Sequence, residues 1–257
     1  MSAVTTLGGR TSTRSPAPLA TVAPADAPSV SFVTVAYGTG PLLVDSIASL
    51  IASLDGTGVA YEYLVVDNAH PTAGERTRHE LLLSTAGVTI VSPGANLGFG
   101  GGCELGALHA RGDVLAFVNP DVIYAPGWLE PLLLALAEHP IVVPVLLDPD
   151  GTVQEAGQVL CADGSTRALT ASPSTIGRGD AHYASAACWV MHRDTHERCG
   201  GFDPAFHPAY YEDVDLLLRA ARLGLDWVLV PDSRVVHHRG AGTADRGVPD
   251  TRRQRAT

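Results

Sequence analysis

The sequence predicts an α/β fold built on a mostly parallel sheet flanked by helices. Three observations lead there. Over the first ninety residues, β-branched runs of strand length alternate with segments whose apolar residues recur at helical spacing. That alternation gives parallel strands joined by right-handed crossovers. The runs end on polar residues, Asp67-Asn68 and Asn119-Pro120-Asp121. In open parallel sheets, ligands bind beyond the carboxyl ends of the strands. From Ile141 the pattern shifts to short runs around a tight-turn signature, so a small antiparallel portion is expected beside the main sheet.

Each element has its own signal. Val30–Ala36 is a β-branched run of the kind buried on both faces. Gly38, Gly40 and Pro41 turn the chain into a helix carrying Leu43, Ile47, Leu50, Ile51 and Leu54, which Asp55-Gly56-Thr57-Gly58 ends. Tyr61–Asp67 is a second strand, Glu75–Ser84 a helix, and Val88–Ser92 a third strand. A glycine-rich loop, Asn96–Cys103, opens a helix through Ala110. Asp113–Val122 is an apolar strand that Pro120 stops, and Pro126–His139 is a helix. Ile141–Leu147 is a strand, Asp148-Pro149-Asp150-Gly151 a turn, and Thr152–Leu160 its antiparallel partner. Residues 161–182 carry no clear pattern. Ala184–Met191 reads as a strand and Arg193–Cys199 as a short helix. After the turn Gly200–Pro204 comes an acidic stretch, Tyr210-Tyr211-Glu212-Asp213-Val214-Asp215-Leu216, and then helical apolar spacing. Two short strands, Trp227–Val230 and Arg234–His238, close the ordered chain.

Residues 29–240 therefore form a single domain. Residues 1–28 are poor in large apolar side chains and contain Pro16, Pro18, Pro24 and Pro28, which predicts a disordered tail. Residues 241–257 read as a second loose tail. At 257 residues, 46% hydrophobic and 17% charged, the chain can bury a sizeable core. A net charge of −10 argues against nucleic acid as a partner, because phosphate binding needs clustered cations. All 17 basic residues are arginine, so an anion must be held by Arg, backbone amides or a metal. The four cysteines have neither zinc-site nor disulfide-framework spacing. No apolar run reaches the roughly 18 residues needed to span a bilayer, and no secretory signal is present, so a cytoplasmic location is expected.

Five motifs could carry chemistry, and each has a plain structural alternative. Asp67 stands at a strand end, where an Asx turn with Asn68 is the ordinary outcome. The Asn96–Cys103 loop could bring backbone amides to a phosphate. Its spacing is not G-x-G-x-x-G, since Cys103 falls on the third glycine position, and no Lys follows as in a Walker loop. Otherwise it is a connector. Asn119 and Asp121 offer oxygen ligands for a hard cation, or a proline turn with an aspartate helix cap. Glu212, Asp213 and Asp215 suit a helix first turn on dipole grounds alone. His237 and His238 face opposite ways along a strand, so at most one reaches any site.

Taken in order and spacing, Val65–Asn68, Asn96–Gly102, Asn119–Asp121, Gly200–Asp203, Tyr211–Leu216 with Arg219, and Val235–His238 resemble the family 2 glycosyltransferases of GT-A fold, most closely their rhamnosyltransferase-like branch. The resemblance covers about Val30 to Gly240. It implies a Rossmann-like sheet and transfer of a sugar, a rhamnose-like deoxyhexose first, from a nucleoside diphosphate donor to a hydroxyl acceptor. It implies donor contacts from Ala36, Tyr37, Asp67, Asn96, Gly98, Phe99, Gly100 and Asn119. Asp121 matches the last aspartate of the family's D-x-D element, which holds Mg²⁺ or Mn²⁺, and His237 or His238 matches a histidine near the metal. Asp213 matches the catalytic base, with Glu212 beside it orienting the acceptor. One base opposite the leaving group means direct displacement with inversion, since a retaining double displacement needs an added nucleophile. Asn119 departs from the family's first D-x-D aspartate, which weakens the expected metal grip. Phe206–Ala209 departs from its usual apolar run.

The implied partners are a dTDP-, UDP- or GDP-linked sugar and a glycan, lipid-linked or secondary-metabolite acceptor, with a homodimer left open. Three alternatives stand beside the deoxyhexose reading. One is a UDP-hexose or GDP-sugar transferase of the same fold. Another is a sugar-nucleotide binding module that has lost its chemistry. The third, a nucleotidyltransferase, would want a basic glycine-rich loop after the first strand, where Tyr37–Pro41 has no cation.

Overall fold

The computed structural model describes residues 29–69, 80, 87–172 and 179–239. The two expected tails, and nearly all of the helix expected at Glu75–Ser84, lie outside the described residues.

The first strand, β1 (Val30–Ala36), is buried along its whole length. It lies between β2 (Tyr61–Asp67) and β4 (Val114–Val118), parallel to both, and β3 (Thr89–Val91) extends the sheet beyond β2. Between β1 and β2 runs α1 (Pro41–Leu54), with Pro41 in its first turn and Leu43, Ile47, Leu50, Ile51 and Leu54 buried. Proline suits that position because its missing N–H would have no helical partner. Successive residues of β1 point to opposite faces. Phe32 joins a core with Ile47, Trp128 and Leu132, and Val33 joins a second core with Ala107, Phe117 and Leu216. The sheet is thus covered on both faces, as its β-branched strands require.

The helix α2 (Gly98–His109) packs so closely on β1 that its glycines are dictated by contact. A Cβ on Gly102 would stand 2.7 Å from Val35, and one on Gly106 would stand 2.2 Å from Val33. The glycine-rich loop expected here is in fact the opening turns of this helix, and part of its glycine content serves helix–strand contact.

Beyond β4 the sheet continues through β10 (Cys188–His192), β6 (Ile141–Leu147), β11 (Trp227–His237) and β5 (Val122–Ile123). β10 is antiparallel to both neighbours, while β11 runs parallel to β6. The sheet is mostly parallel, as expected, with β10 reversed inside it and β5 reversed at its edge.

Several boundaries differ from expectation. The 113–122 run divides into β4 and β5, because Asn119–Asp121 turns the chain toward β11. The two closing strands are one, β11, whose register with β6 shifts between Val230 and Arg234. Pro231 cannot donate a ladder bond, so the strand bulges there and then resumes. The 152–160 run divides at Gly157, whose φ is 98°. Its first part, β7 (Val153–Glu155), pairs with β6; its second, β8 (Gln158–Leu160), pairs with β9 (Thr166–Ala168) in a separate hairpin. The helix expected at 126–139 is the shorter α3 (Leu129–Leu136). Two further helices, α4 (Arg193–Cys199) and α5 (Glu212–Arg222), complete the domain.

Candidate active site

The polar residues expected at strand ends gather at one edge of the sheet. Ala36 and Asp67 are paired in register at the ends of β1 and β2. Next to them, Asn68 is buried and donates to Asn96 Oδ1 (3.0 Å) and to the Gly98 carbonyl (2.9 Å). Its own Oδ1 accepts from the Leu97 N–H at 2.7 Å. Asn96 Oδ1 also accepts from the Gly98 N–H at 2.9 Å. The two asparagines fasten the start of α2 to the end of β2. Asn68 reads locally as an Asx-turn residue; its partners are 28 to 30 residues away, a separation that no local pattern encodes.

Opposite lies the acidic stretch. The Phe99 N–H donates to the Pro208 carbonyl at 2.7 Å. The side chain of Phe99 meets Phe202 edge-on, with ring centres 6.0 Å apart. Gly100 faces Phe202 and Glu212, and a Cβ there would lie 3.1 Å and 3.7 Å from their Cβ atoms. Tyr210 and Tyr211 both take left-handed backbone, with φ of 82° and 72°. Such conformations cost about 1–3 kcal/mol each in a bulky residue and cluster at functional sites. They deliver Glu212 and Asp213, each 6% exposed, to the first turn of α5. Asp213 Oδ1 accepts from the Val214 N–H at 2.8 Å. The Tyr211 hydroxyl donates to the Gly164 carbonyl at 2.7 Å, tying the β8–β9 hairpin over this stretch. Below it, burial pushes the Cys103 thiol well above its usual range, and the charges of Glu212 and Glu104 push the same way.

Asp215 separates from its two acidic neighbours. It pairs with Arg219 at 2.7 Å, and Arg219 also donates to the Cys199 and Gly201 carbonyls. This group locks the end of α4 to α5 and is structural.

The third cluster joins Asp121 to the end of β11. His237 Nε2 stands 3.4 Å from Asp121 Oδ1, and the His238 N–H donates to the Asp121 carbonyl at 2.9 Å. It is thus the ring of His237 that faces Asp121, and His238 meets it through the backbone. Asp121 Oδ1 is buried without a hydrogen-bond partner, as is Asn119 Oδ1. Buried carboxylate oxygens are normally satisfied. A carboxylate and an imidazole left facing each other form a donor set that fits a divalent cation. Among the described residues no group of three or more His, Cys, Asp or Glu side chains could hold a metal ion. The pair can supply two ligands of a site completed by something else.

The sequence matches the profile of glycosyl transferase family 2 over residues 31–200, most of the chain. The chain belongs to this family. Its fold is the GT-A fold of glycosyltransferases. The chain is 27% identical over 241 residues to the N-acetylglucosaminyl-diphospho-decaprenol L-rhamnosyltransferase of Mycobacterium tuberculosis, covering 82% of this chain and 76% of that one. It is 32% identical over 158 residues to the O-antigen biosynthesis protein RfbC of Myxococcus xanthus, covering 56% of this chain and 12% of that protein. Among solved structures, it resembles GalNAc-T7 with UDP, GalNAc and Mn²⁺ (TM-score 0.68, 18% identity, 82% of this chain and 44% of that one). It also resembles a mannosyltransferase from Pyrobaculum calidifontis in complex with GDP-Man and Mn²⁺ (TM-score 0.62, 18% identity, 91% of this chain and 62% of that one). The chain thus spans less than two thirds of either solved protein and a small part of RfbC. The profile match stops at Gly200, short of Glu212, Asp213 and His237. No helix among the described residues is long and apolar enough to cross a membrane.

Proposed function

We propose that this family 2 domain transfers a sugar, a rhamnose-like deoxyhexose, from a nucleoside diphosphate donor to an acceptor hydroxyl with inversion, using Asp213 as general base. The observation that carries this reading is the burial of Glu212 and Asp213 at the head of α5, presented by two tyrosines in left-handed backbone. Holding strained backbone and two adjacent carboxylates out of water costs free energy, and chemistry at that position is what they supply. The similarity to the mycobacterial rhamnosyltransferase supports the choice of sugar and of a lipid-linked acceptor.

In this reading the donor lies along the carboxyl edge of the sheet. Ala36, Tyr37 and Asp67 meet the nucleoside. Asn96, Gly98, Phe99 and Gly100, fastened by Asn68, line the sugar diphosphate side with Asn119. Asp121 and His237 would hold Mg²⁺ or Mn²⁺, which when bound would offset the charge that develops on the departing diphosphate. Asp213 takes the proton from the acceptor hydroxyl as its oxygen bonds the anomeric carbon. The bond from that carbon to the diphosphate oxygen breaks, and the nucleoside diphosphate leaves on the opposite face. Glu212 orients the acceptor. A positioned base contributes about 10²–10⁴-fold to such a step.

The test pairs binding with turnover. Thermal shifts with UDP, dTDP and GDP identify the base, because a bound nucleotide stabilises by RT ln(1 + [L]/Kd). With the matching sugar nucleotide, Asp213→Asn should lower turnover by at least about 10²-fold while donor affinity stays within a few-fold. Full turnover in that variant would refute Asp213 as the base.

A further inference from the structure

Gln154 of β7 is 3% exposed and makes three hydrogen bonds at the edge of the Asp121–His237 pair. Its Nε2 donates to Asp148 Oδ1 at 2.6 Å and to the His237 carbonyl at 2.8 Å. Both partners are acceptors only, which fixes the orientation of the amide. The reversed amide would set its oxygen against a carboxylate oxygen and a carbonyl oxygen at those distances. Gln154 Oε1 therefore faces His237 Nδ1, 2.7 Å away. An amide oxygen can only accept, so Nδ1 carries the proton. In a neutral imidazole the other nitrogen then bears the lone pair. That nitrogen, Nε2, is the one 3.4 Å from Asp121 Oδ1, a buried oxygen with no hydrogen-bond donor.

We propose that Gln154 is a positioning residue for the metal site: it locks His237 in the Nδ1–H tautomer and aims the Nε2 lone pair at the position a divalent cation shares with Asp121. Asp148, on the turn after β6, holds the amide in place and so acts one step further out. This inference rests on the metal reading given under Proposed function. Two lone pairs held 3.4 Å apart repel unless a positive charge lies between them, either a cation or a second proton on Nε2, and the Mn²⁺ titration below separates the two. Hydrogen bonds from the far nitrogen of a ligand histidine fix its tautomer and orientation, and losing the partner typically costs about 10–100-fold in metal affinity.

Two measurements on the full chain test it. In metal-free protein at pH 8, long-range ¹H–¹⁵N spectra of labelled histidine, assigned with H237A, should show His237 as the Nδ1–H tautomer. In the near-isosteric Q154M, the Nε2–H form should gain at its expense. Unchanged amide spectra away from the site in Q154M tell loss of the acceptor apart from a general packing defect. Titration with Mn²⁺ alone, followed by the EPR signal of the free ion, should show weakening of about 10–100-fold in Q154M. It should show a larger loss in D121N and H237A. An Nε2–H tautomer in wild type, or Q154M with wild-type tautomer and Mn²⁺ affinity, overturns the role of Gln154. Unchanged Mn²⁺ affinity in both D121N and H237A overturns the metal reading itself, and with it this inference.

Discussion

Gly98→Ala tests whether the opening of α2 positions the acidic stretch. Gly98 has a φ of 76°, and a Cβ there would stand 2.7 Å from the Pro208 carbonyl oxygen and 3.0 Å from the His207 ring. Left-handed backbone costs a side-chain-bearing residue about 1–2 kcal/mol. Relieving the contact means moving Pro208, which costs about 0.5–1.5 kcal/mol more through the lost Phe99–Pro208 hydrogen bond. The sum, about 1.5–3.5 kcal/mol, lowers Tm by roughly 3–14 °C in a domain of this size. Gly94 is the control: its φ is 78°, and a Cβ there meets nothing within 4 Å. Gly94→Ala should show only the backbone cost. The functional effect should exceed the structural one. A shift of the Pro208–Tyr211 segment by about 1 Å misplaces Glu212 and Asp213 and costs roughly 10²-fold in turnover. Thermal unfolding and nucleoside diphosphate release, measured on both variants well below their Tm, provide the comparison. If Gly98→Ala matches Gly94→Ala in both stability and turnover, the contact does not position the acidic stretch.

Two further predictions concern the scaffold. Glu62 is buried, which alone would raise its pKa, but hydrogen bonds from Ser31 and from the Arg111 amide and guanidinium, with the charge of Arg111, outweigh burial and lower it below 4.5. Its contribution is therefore fully present above about pH 4.5 and is lost as pH falls through the lower folded value. Glu62→Gln should be clearly less stable than wild type in urea at pH 7, with the gap narrowing below pH 4.5; a gap independent of pH would contradict the assignment. Of the four free cysteines, Cys103, Cys188 and Cys199 are buried and Cys161 is partly exposed. Burial also raises the Cys103, Cys188 and Cys199 thiols, so a thiol reagent should modify Cys161 alone until the protein unfolds. Mass mapping of the labelled peptides checks this.

Much of the fold could be read from local pattern, because hydrophobic period and turn chemistry act over a few residues. β1, α1 and β2 lie close to where their apolar spacing puts them, and Asp215 pairs with Arg219 four residues on, as a helix first turn allows. Where a proline or a short run interrupts the pattern, neighbours in space set the outcome. β11 continues across Pro231 because β6 offers a ladder on its far side, and β9 is three residues whose partner is β8.

The candidate site divides along the same line. Its residue types and their order along the chain, Asp67, Asn96, Asn119, Asp121, Glu212, Asp213 and His237, are properties of the sequence alone. What those residues meet depends on contacts across the fold. Asn68 fastens a loop 28 residues away, and the hydroxyl of Tyr211 reaches Gly164. The choice between His237 and His238 is made by the pairing of β11 with β5, which brings Asp121 alongside. Gln154, which carries no motif, lies 83 residues from the histidine it holds. Period and propensity are local and can be read in one dimension; a hydrogen bond between side chains on different strands depends on the packing of the sheet, which only the tertiary structure decides.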